Sequence, residues 1–223
     1  MFAKEGIALI LASLLIGAAI GVLAWQFPGP VRWLIMILAV AVPLFTMYFF
    51  RDPQRTPPAD TTNLVLAPAD GKVVVIQDVE EPLYLQGPAR QVSIFLSPLN
   101  VHVNRAPADG VIEFDEYVPG DYLVAWHEKA SELNERSQLG LRHPTGQKIL
   151  FKQIAGAVAR RIVYHISIGD AVKAGERFGI VKFGSRMDIL VHPDTEILVG
   201  LGDKVTAGET LLARLSPEAK HAE

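Results

Sequence analysis

A mainly β protein, a sandwich or barrel preceded by an α-helical membrane hairpin, is the fold class this sequence predicts. Three observations predict it. Two charge-free apolar runs fall within the first fifty residues. Beyond them, short β-rich runs alternate with Gly, Pro and Asp turns. Two phrases of sequence each occur twice. The half of the 223 residues that is hydrophobic, with a mean hydropathy of +0.26, is therefore spread unevenly.

Residues 6–25 hold no charge, and a helix of about 20 residues rises about 30 Å, the hydrocarbon thickness of a bilayer. The stretch "QFPGPVR" (26–32) reads as a turn, and residues 33–50 form a second uncharged run in which Pro43 is expected to introduce a bend. Trp25, Trp33 and Tyr48 lie where an interfacial aromatic belt falls, and Gly17 and Gly21 make a G-x-x-x-G step for close helix approach. A secretory signal fits less well. The first run exceeds a normal h-region, lacks an A-x-A cleavage site and is followed by another span. Lys4 precedes the hairpin and Arg51 and Arg55 follow it, whereas the turn holds only Arg32. The positive-inside rule then puts both ends, and the main domain, on the cytoplasmic face of the cell membrane. Residues 51–62, beginning "RDPQRTPPAD", read as a proline-rich linker, and residues 63–223 as the β-rich domain.

Within that domain "GKVVVI", "RQVSIFLS", "GVIEF", "KILFKQI" and "RIVYHISI" read as strands, and residues 128–138, "EKASELNERSQ", as a solvated helix. "APADG" (67–71) returns at 106–110, and "GDAVKAGE" (169–176) returns as "GDKVTAGE" (202–209). The second pair resembles the turn-and-strand half-repeats of lipoyl and biotinyl carrier domains. It speaks to fold more than to chemistry.

Composition removes whole classes of function. Without cysteine there are no disulfides, thiolate nucleophiles or cysteine-held metals. A net charge of −3 and the lack of a dense Lys/Arg stripe give no reason for a nucleic-acid partner. No H-E-x-x-H, P-loop, G-x-G-x-x-G or G-x-S-x-G stands in a suitable context, and no metal set is expected.

One stretch stands out. "VKFGSRMDIL" (181–190) reads as a buried strand interrupted by Gly184, Ser185 and Arg186. Glycine inside a strand marks a bulge or a close backbone approach, so the break is either an ordinary bulge or a hydroxyl aimed at its own backbone. Among the histidines, His221 lies in the polar tail, His143 in a Pro/Gly loop, His127 beside the predicted helix and His165 inside a strand. His102 follows the turn Ser97-Pro98-Leu99-Asn100, and His192 follows the apolar end of the 181–191 run and can face the Gly-Ser break. Asp70 and Asp109 occupy the same place in the two "APADG" copies, where a turn is the default role. Spacing alone does not choose between them.

"RDPQRTPP", "APADGKV", "IFLSPLNVHVNRAP", "KASELNER", "QIAGAVARRI" and "GDAVKAGERFGIVKFGSRMD", in this order behind an apolar N-terminus, resemble the short form of the phosphatidylserine decarboxylase family. The resemblance runs from about residue 49 to at least residue 188. It implies a proenzyme that cuts itself between Gly184 and Ser185 into a β chain (1–184) and an α chain (185–223), which remain together as a heterodimer. The Ser185 hydroxyl would attack the Gly184 carbonyl. Elimination and hydrolysis would then leave a pyruvoyl group on residue 185, the only cofactor, with no metal. His102 is implied as base and Asp70 as the carboxylate orienting it, with His192 in reserve. A longer branch of the family has a second histidine where this chain has Arg105, so either His102 serves both cleavage and later protonation or another residue takes one of these tasks.

The implied reaction, in phospholipid biosynthesis, converts phosphatidylserine in the membrane to phosphatidylethanolamine and CO₂ through a Schiff base to the pyruvoyl carbonyl, which provides the electron sink. Arg51 and Arg55 are placed either among lipid headgroups or simply as stop-transfer flanks, and Arg160 and Arg161 are conceivable phosphate contacts. The competing reading is a non-enzymatic, membrane-anchored, lipoyl-like adaptor or carrier, with Lys129 as its modifiable lysine. It gives no reason for the Gly-Ser break, and Lys129 lies outside both repeats.

Overall fold

The computed structural model describes residues 1–124, 130–156, 161–182 and 184–216. The chain divides into two compact units, Met1–Gln54 and Arg55–Glu223.

The first unit is a helical hairpin of α1 (Ile7–Leu23) and α2 (Gly29–Phe49), both long and apolar enough to cross a membrane. Pro28 and Gly29 start α2, and the helix continues through Pro43. Of the two glycines in the G-x-x-x-G step only Gly17 is a contact. A side chain there would come within 2.5 Å of the Ala39 carbonyl, whereas Gly21 meets nothing within 4 Å.

The second unit is mainly β. Its strands are β1 (Leu64–Leu66), β2 (Gly71–Glu81), β3 (Gly87–Leu96), β4 (Val103–Arg105), β5 (Gly110–Val118), β6 (Arg136–Arg142) and β7 (Lys148–Ile154). They continue with β8 (Ile162–Tyr164), β9 (Ala171–Val172), β10 (Arg177–Val181), β11 (Ser185–Val191), β12 (Glu196–Ile197), β13 (Lys204–Val205) and β14 (Leu211–Arg214). Eight form one curled antiparallel sheet, in the order β13-β2-β3-β11-β7-β6-β5-β9. Two three-stranded sheets, β1-β14-β12 and β4-β10-β8, accompany it. The main core lies on one face of the large sheet and includes Val92, Ile94, Leu139, Phe151, Met187 and Ile189.

The repeated phrases prove to be the ends of two interlocked copies of one unit. Asp70 Oδ1 accepts the Ala207 amide at 2.9 Å and Asp109 Oδ1 accepts the Ala174 amide at 3.0 Å. The Gly208 amide donates to Ala67, and the Gly175 amide to Ala106. β2 and β5 bulge at matching places against β3 and β6, and β1–β14 and β4–β10 share the same irregularity. In chain order β1–β3 and β11–β14 make one copy, and β4–β10, lying between them, make the other. The relation pairs β11 with β7, Gly184 with Gly146 and Ser185 with Gln147, from the registers of β11 on β3 and β7 on β6.

Two expectations need correction. Residues 128–138 are not one helix: among the described residues only Ala130–Leu133 (α3) are helical, and Arg136–Gln138 open β6. Pairing with β5 and β7 overrides local helical propensity there. The interrupted strand at 181–190 is two strands in two sheets, β10 ending at Val181 and β11 starting at Ser185.

Candidate active site at the Gly184–Ser185 junction

Gly184 adopts φ +72°. Among the described residues a Cβ at this position would meet only Pro98 Cγ, at 3.9 Å, so space among them does not explain the glycine. The left-handed backbone does, since an L-residue there costs about 1–2 kcal/mol. Ser185 follows as the first residue of β11, in register with Leu96 of β3, and is fully buried. Its hydroxyl has no hydrogen-bond partner among the described residues. Burying a hydroxyl without a partner costs on the order of 1–3 kcal/mol, which marks it as a group held for something other than stability.

His102, also fully buried, sits between the Ser97–Asn100 turn and β4. That turn is closed by the Asn100 amide donating to the Ser97 carbonyl and by Asn100 Oδ1 accepting the Ser97 amide. His102 Nδ1 lies 3.0 Å from the Asn100 carbonyl, and its Nε2 accepts the Gly184 amide hydrogen at 3.2 Å. A carbonyl can only accept, so Nδ1 carries the proton and Nε2 the lone pair. The imidazole therefore presents the lone pair of Nε2 to the Gly184 amide at the junction.

Asp70 is engaged elsewhere. Its carboxylate takes Arg55 Nη2 at 2.9 and 2.8 Å together with the Ala207 amide, while the described hydrogen bonds of His102 run to Asn100 and Gly184. Asp109 makes the equivalent turn bond but accepts Thr61 Oγ1 where Asp70 has Arg55. Arg55 also reaches Glu209 at 3.5 Å, and its side chain is only 14% exposed, which corrects its placement among headgroups. Arg51 lies over the Tyr48 ring, 3.8 Å from its centroid. His192 is not brought to the junction. It stands beyond the opposite end of β11, largely exposed, beside Asp194. Arg161 is exposed, while His127, Lys129, Arg160 and His221 fall outside the described residues.

On the other face of β11, Arg186 Nε bonds Asp188 at 2.7 Å and Arg186 Nη2 bonds Ser93 at 2.7 Å. Asp188 also accepts Gln91 and Ser131. This buried pair, made by alternate residues of one strand, ties the start of β11 to β3. Lys152, opposite Asp188, has its pKa lowered, first by burial and against the field of Asp188. Sequence reasoning missed the pair, although Arg-x-Asp inside an apolar run was a signal for it.

Fold and site together define a mainly β protein in which a half-buried glycine, a buried hydroxyl and a buried imidazole stand at one strand junction of a single chain. The phosphatidylserine decarboxylase family profile matches residues 42–213. A phosphatidylserine decarboxylase proenzyme of Salinibacter ruber is 62% identical over 208 residues, 92% of this chain and 90% of that protein. The proteins of the same name from Symbiobacterium thermophilum and Chlorobium luteolum are 45% and 42% identical, over 83% and 96% of this chain and 86% and 100% of their own lengths. The chain belongs to the phosphatidylserine decarboxylase family.

Proposed function

We propose that this chain is a proenzyme that cleaves itself at Gly184–Ser185 and then decarboxylates phosphatidylserine to phosphatidylethanolamine. The observation that carries the reading is the buried, unpartnered Ser185 hydroxyl directly after a left-handed glycine whose amide bonds an imidazole lone pair. The names of the relatives, proenzymes of this activity, agree with it.

In self-cleavage His102 Nε2 takes the Ser185 proton, and Oγ attacks the Gly184 carbonyl carbon. The resulting oxyanion collapses and expels the Ser185 nitrogen, which takes the proton back, so that the amide becomes an ester. A base then removes the proton on Cα of residue 185, the Cβ–Oγ bond breaks, and the chain 1–184 leaves with a carboxylate. The dehydroalanine left at residue 185 takes up water and releases ammonia, leaving a pyruvoyl group. A hydroxyl needs such a base because it is a weak nucleophile at its free pKa. Asp70 supports the imidazole in this reading through its charge, from its place on Arg55.

The residues around the junction fit a pyruvoyl group: the buried start of a central strand would hold it, and Arg186 and Asp188 would fix the strand behind it. When present, this group supplies the carbonyl that takes the substrate amine and the electron sink for the carbanion. In this reading His102 returns a proton to the product. β11 lies between β3 and β7, so the fragment 185–223 remains within the sheet after cleavage as the partner of 1–184. The helical hairpin anchors the chain where a lipid headgroup is presented, with the β unit on the cytoplasmic side.

Ser185→Ala tests the reading. It should remain a single chain and release no CO₂ from phosphatidylserine vesicles, whereas the parent yields two fragments and is active. Cleavage of that variant at the same bond would refute Ser185 as the attacking group. The adaptor reading predicts an uncleaved parent.

A further inference from the structure

Six buried side-chain polar atoms among the described residues lack a hydrogen-bond partner, and they include Ser185 Oγ at the start of β11 and Asn104 Nδ2 in β4. Asn104 is fully buried in β4, two residues after His102 and so on the same side of an extended segment. Its Oδ1 accepts Gln153 Nε2 at 2.8 Å, and Gln153 Oε1 accepts the Ser137 hydroxyl at 2.9 Å. Gln153 is in register with Met187, which shares a face of β11 with Ser185, so Gln153 is a diagonal neighbour of the serine. The direction of the chain, hydroxyl to carboxamide to carboxamide, leaves an N–H of Asn104 as its free end.

Fold and packing alone do not require these amides. In the other copy of the repeat, Val65 takes the place of Asn104 and Val191 that of Gln153, both buried and apolar. The polar version occurs only beside the Gly-Ser junction. Room has been made for it. A Cβ on Gly179, the pairing partner of Asn104, would lie 3.0 Å from Gln153 Nε2 and 2.4 Å from the Val163 carbonyl.

We propose that Asn104 Nδ2 is the donor that stabilises the oxyanion formed on the Gly184 carbonyl during self-cleavage, with Gln153 and Ser137 fixing the orientation of its carboxamide. This rests on the self-cleavage reading above. As Ser185 Oγ bonds to the Gly184 carbon, the carbonyl electron pair moves onto oxygen, and Asn104 N–H accepts a share of that charge. The role suits a wholly buried donor, because the first reaction of this site is with its own backbone. No ligand has to enter.

Asn104→Asp keeps the oxygen that Gln153 bonds but has no N–H to donate. Gln153→Glu cannot donate to Asn104 Oδ1, so the Asn104 amide turns to donate to the glutamate and its N–H leaves the junction. Each should cleave about 100-fold more slowly than the parent, the usual effect of removing one oxyanion donor. Ser137→Ala, the mildest change, should show a smaller slowing and decides the matter if neither of the others folds. Cleavage is followed on protein shown to be folded by its melting transition. Added hydroxylamine, which opens esters, should not accelerate the two amide variants, because the ester no longer accumulates. A block at the later elimination would instead leave ester for hydroxylamine to cut. Cleavage at the parental rate, or rescue by hydroxylamine, overturns the proposal. Failure of the parent itself to cleave would instead overturn the self-cleavage reading.

Discussion

The two copies of the repeat each carry a left-handed glycine at the same place, and the two junctions differ in nearly everything around it. Gly184, at φ +72°, precedes Ser185, with His102, Asn104 and Gln153 about it. Gly146, at φ +86°, precedes Gln147, which donates to the Ser216 carbonyl, and Asn63, Val65 and Val191 occupy the corresponding places. The backbone at both is what the fold requires. The side chains at only one suit the proposed chemistry. A left-handed glycine is therefore common scaffold here, and in the proposed reading the hydroxyl, imidazole and amides around it separate a reactive junction from an inert one.

The comparison can be broken most sharply at the base. His102→Gln should slow fragment formation by about 10²–10⁴-fold, the range for a lost general base, and full-rate cleavage on a denaturing gel would remove the imidazole from the account.

A smaller effect is expected at the glycines. Gly184→Ala and Gly146→Ala should each destabilise by about 1–2 kcal/mol, the penalty for a left-handed L-residue, measured by denaturant unfolding. Only the first should also slow cleavage. Equal cleavage rates in the two variants would mean that the Gly184 geometry is purely structural.

Asp70 and Asp109 sharpen the same contrast one step further out. Asp70→Asn should slow cleavage roughly tenfold, well short of the about 10⁴-fold seen where a carboxylate bonds a catalytic imidazole directly. Asp109→Asn should leave the rate unchanged. Arg55→Gln breaks the same ion pair while keeping the Asp70 carboxylate. If it slows cleavage as much as Asp70→Asn, the aspartate acts by anchoring residue 55, not through its charge on His102.

The smallest effect belongs to the inert copy. His143, buried in the hairpin beside Gly146, accepts the Thr145 amide at Nδ1, and burial lowers its pKa against the field of Asp109. The unfolded chain then binds the proton more readily than the folded one, so this histidine lowers stability as pH falls from about 6.5 through the depressed folded value. His143→Gln should flatten that part of the stability–pH curve without altering cleavage.

Much of the fold was legible in the sequence because turns and half-buried strands leave local marks. The strand "KILFKQI" coincides with β7, and the repeated "APADG" and "GD-x-V-x-A-G-E" phrases mark the matching turns of the two copies. Residues 136–138 misled because charged and polar side chains favour a helix locally, while their neighbours across β5 and β7 decide otherwise. Gly184, Ser185 and His102 were singled out through ordered motifs. Asn104 and Gln153 were not, since a lone amide in an apolar run has meaning only once its cross-strand partner is known. Arg55 was misjudged for the same reason. Its partners, Asp70 and Glu209, lie 15 and 154 residues away.

The most direct measurement is the intact mass of the purified wild-type protein. The account predicts two chains, residues 1–184 and a fragment beginning at residue 185 that is lighter by one ammonia than the same fragment with serine as its first residue. Active protein with the 184–185 bond intact, or with an ordinary serine at the new terminus, would contradict it.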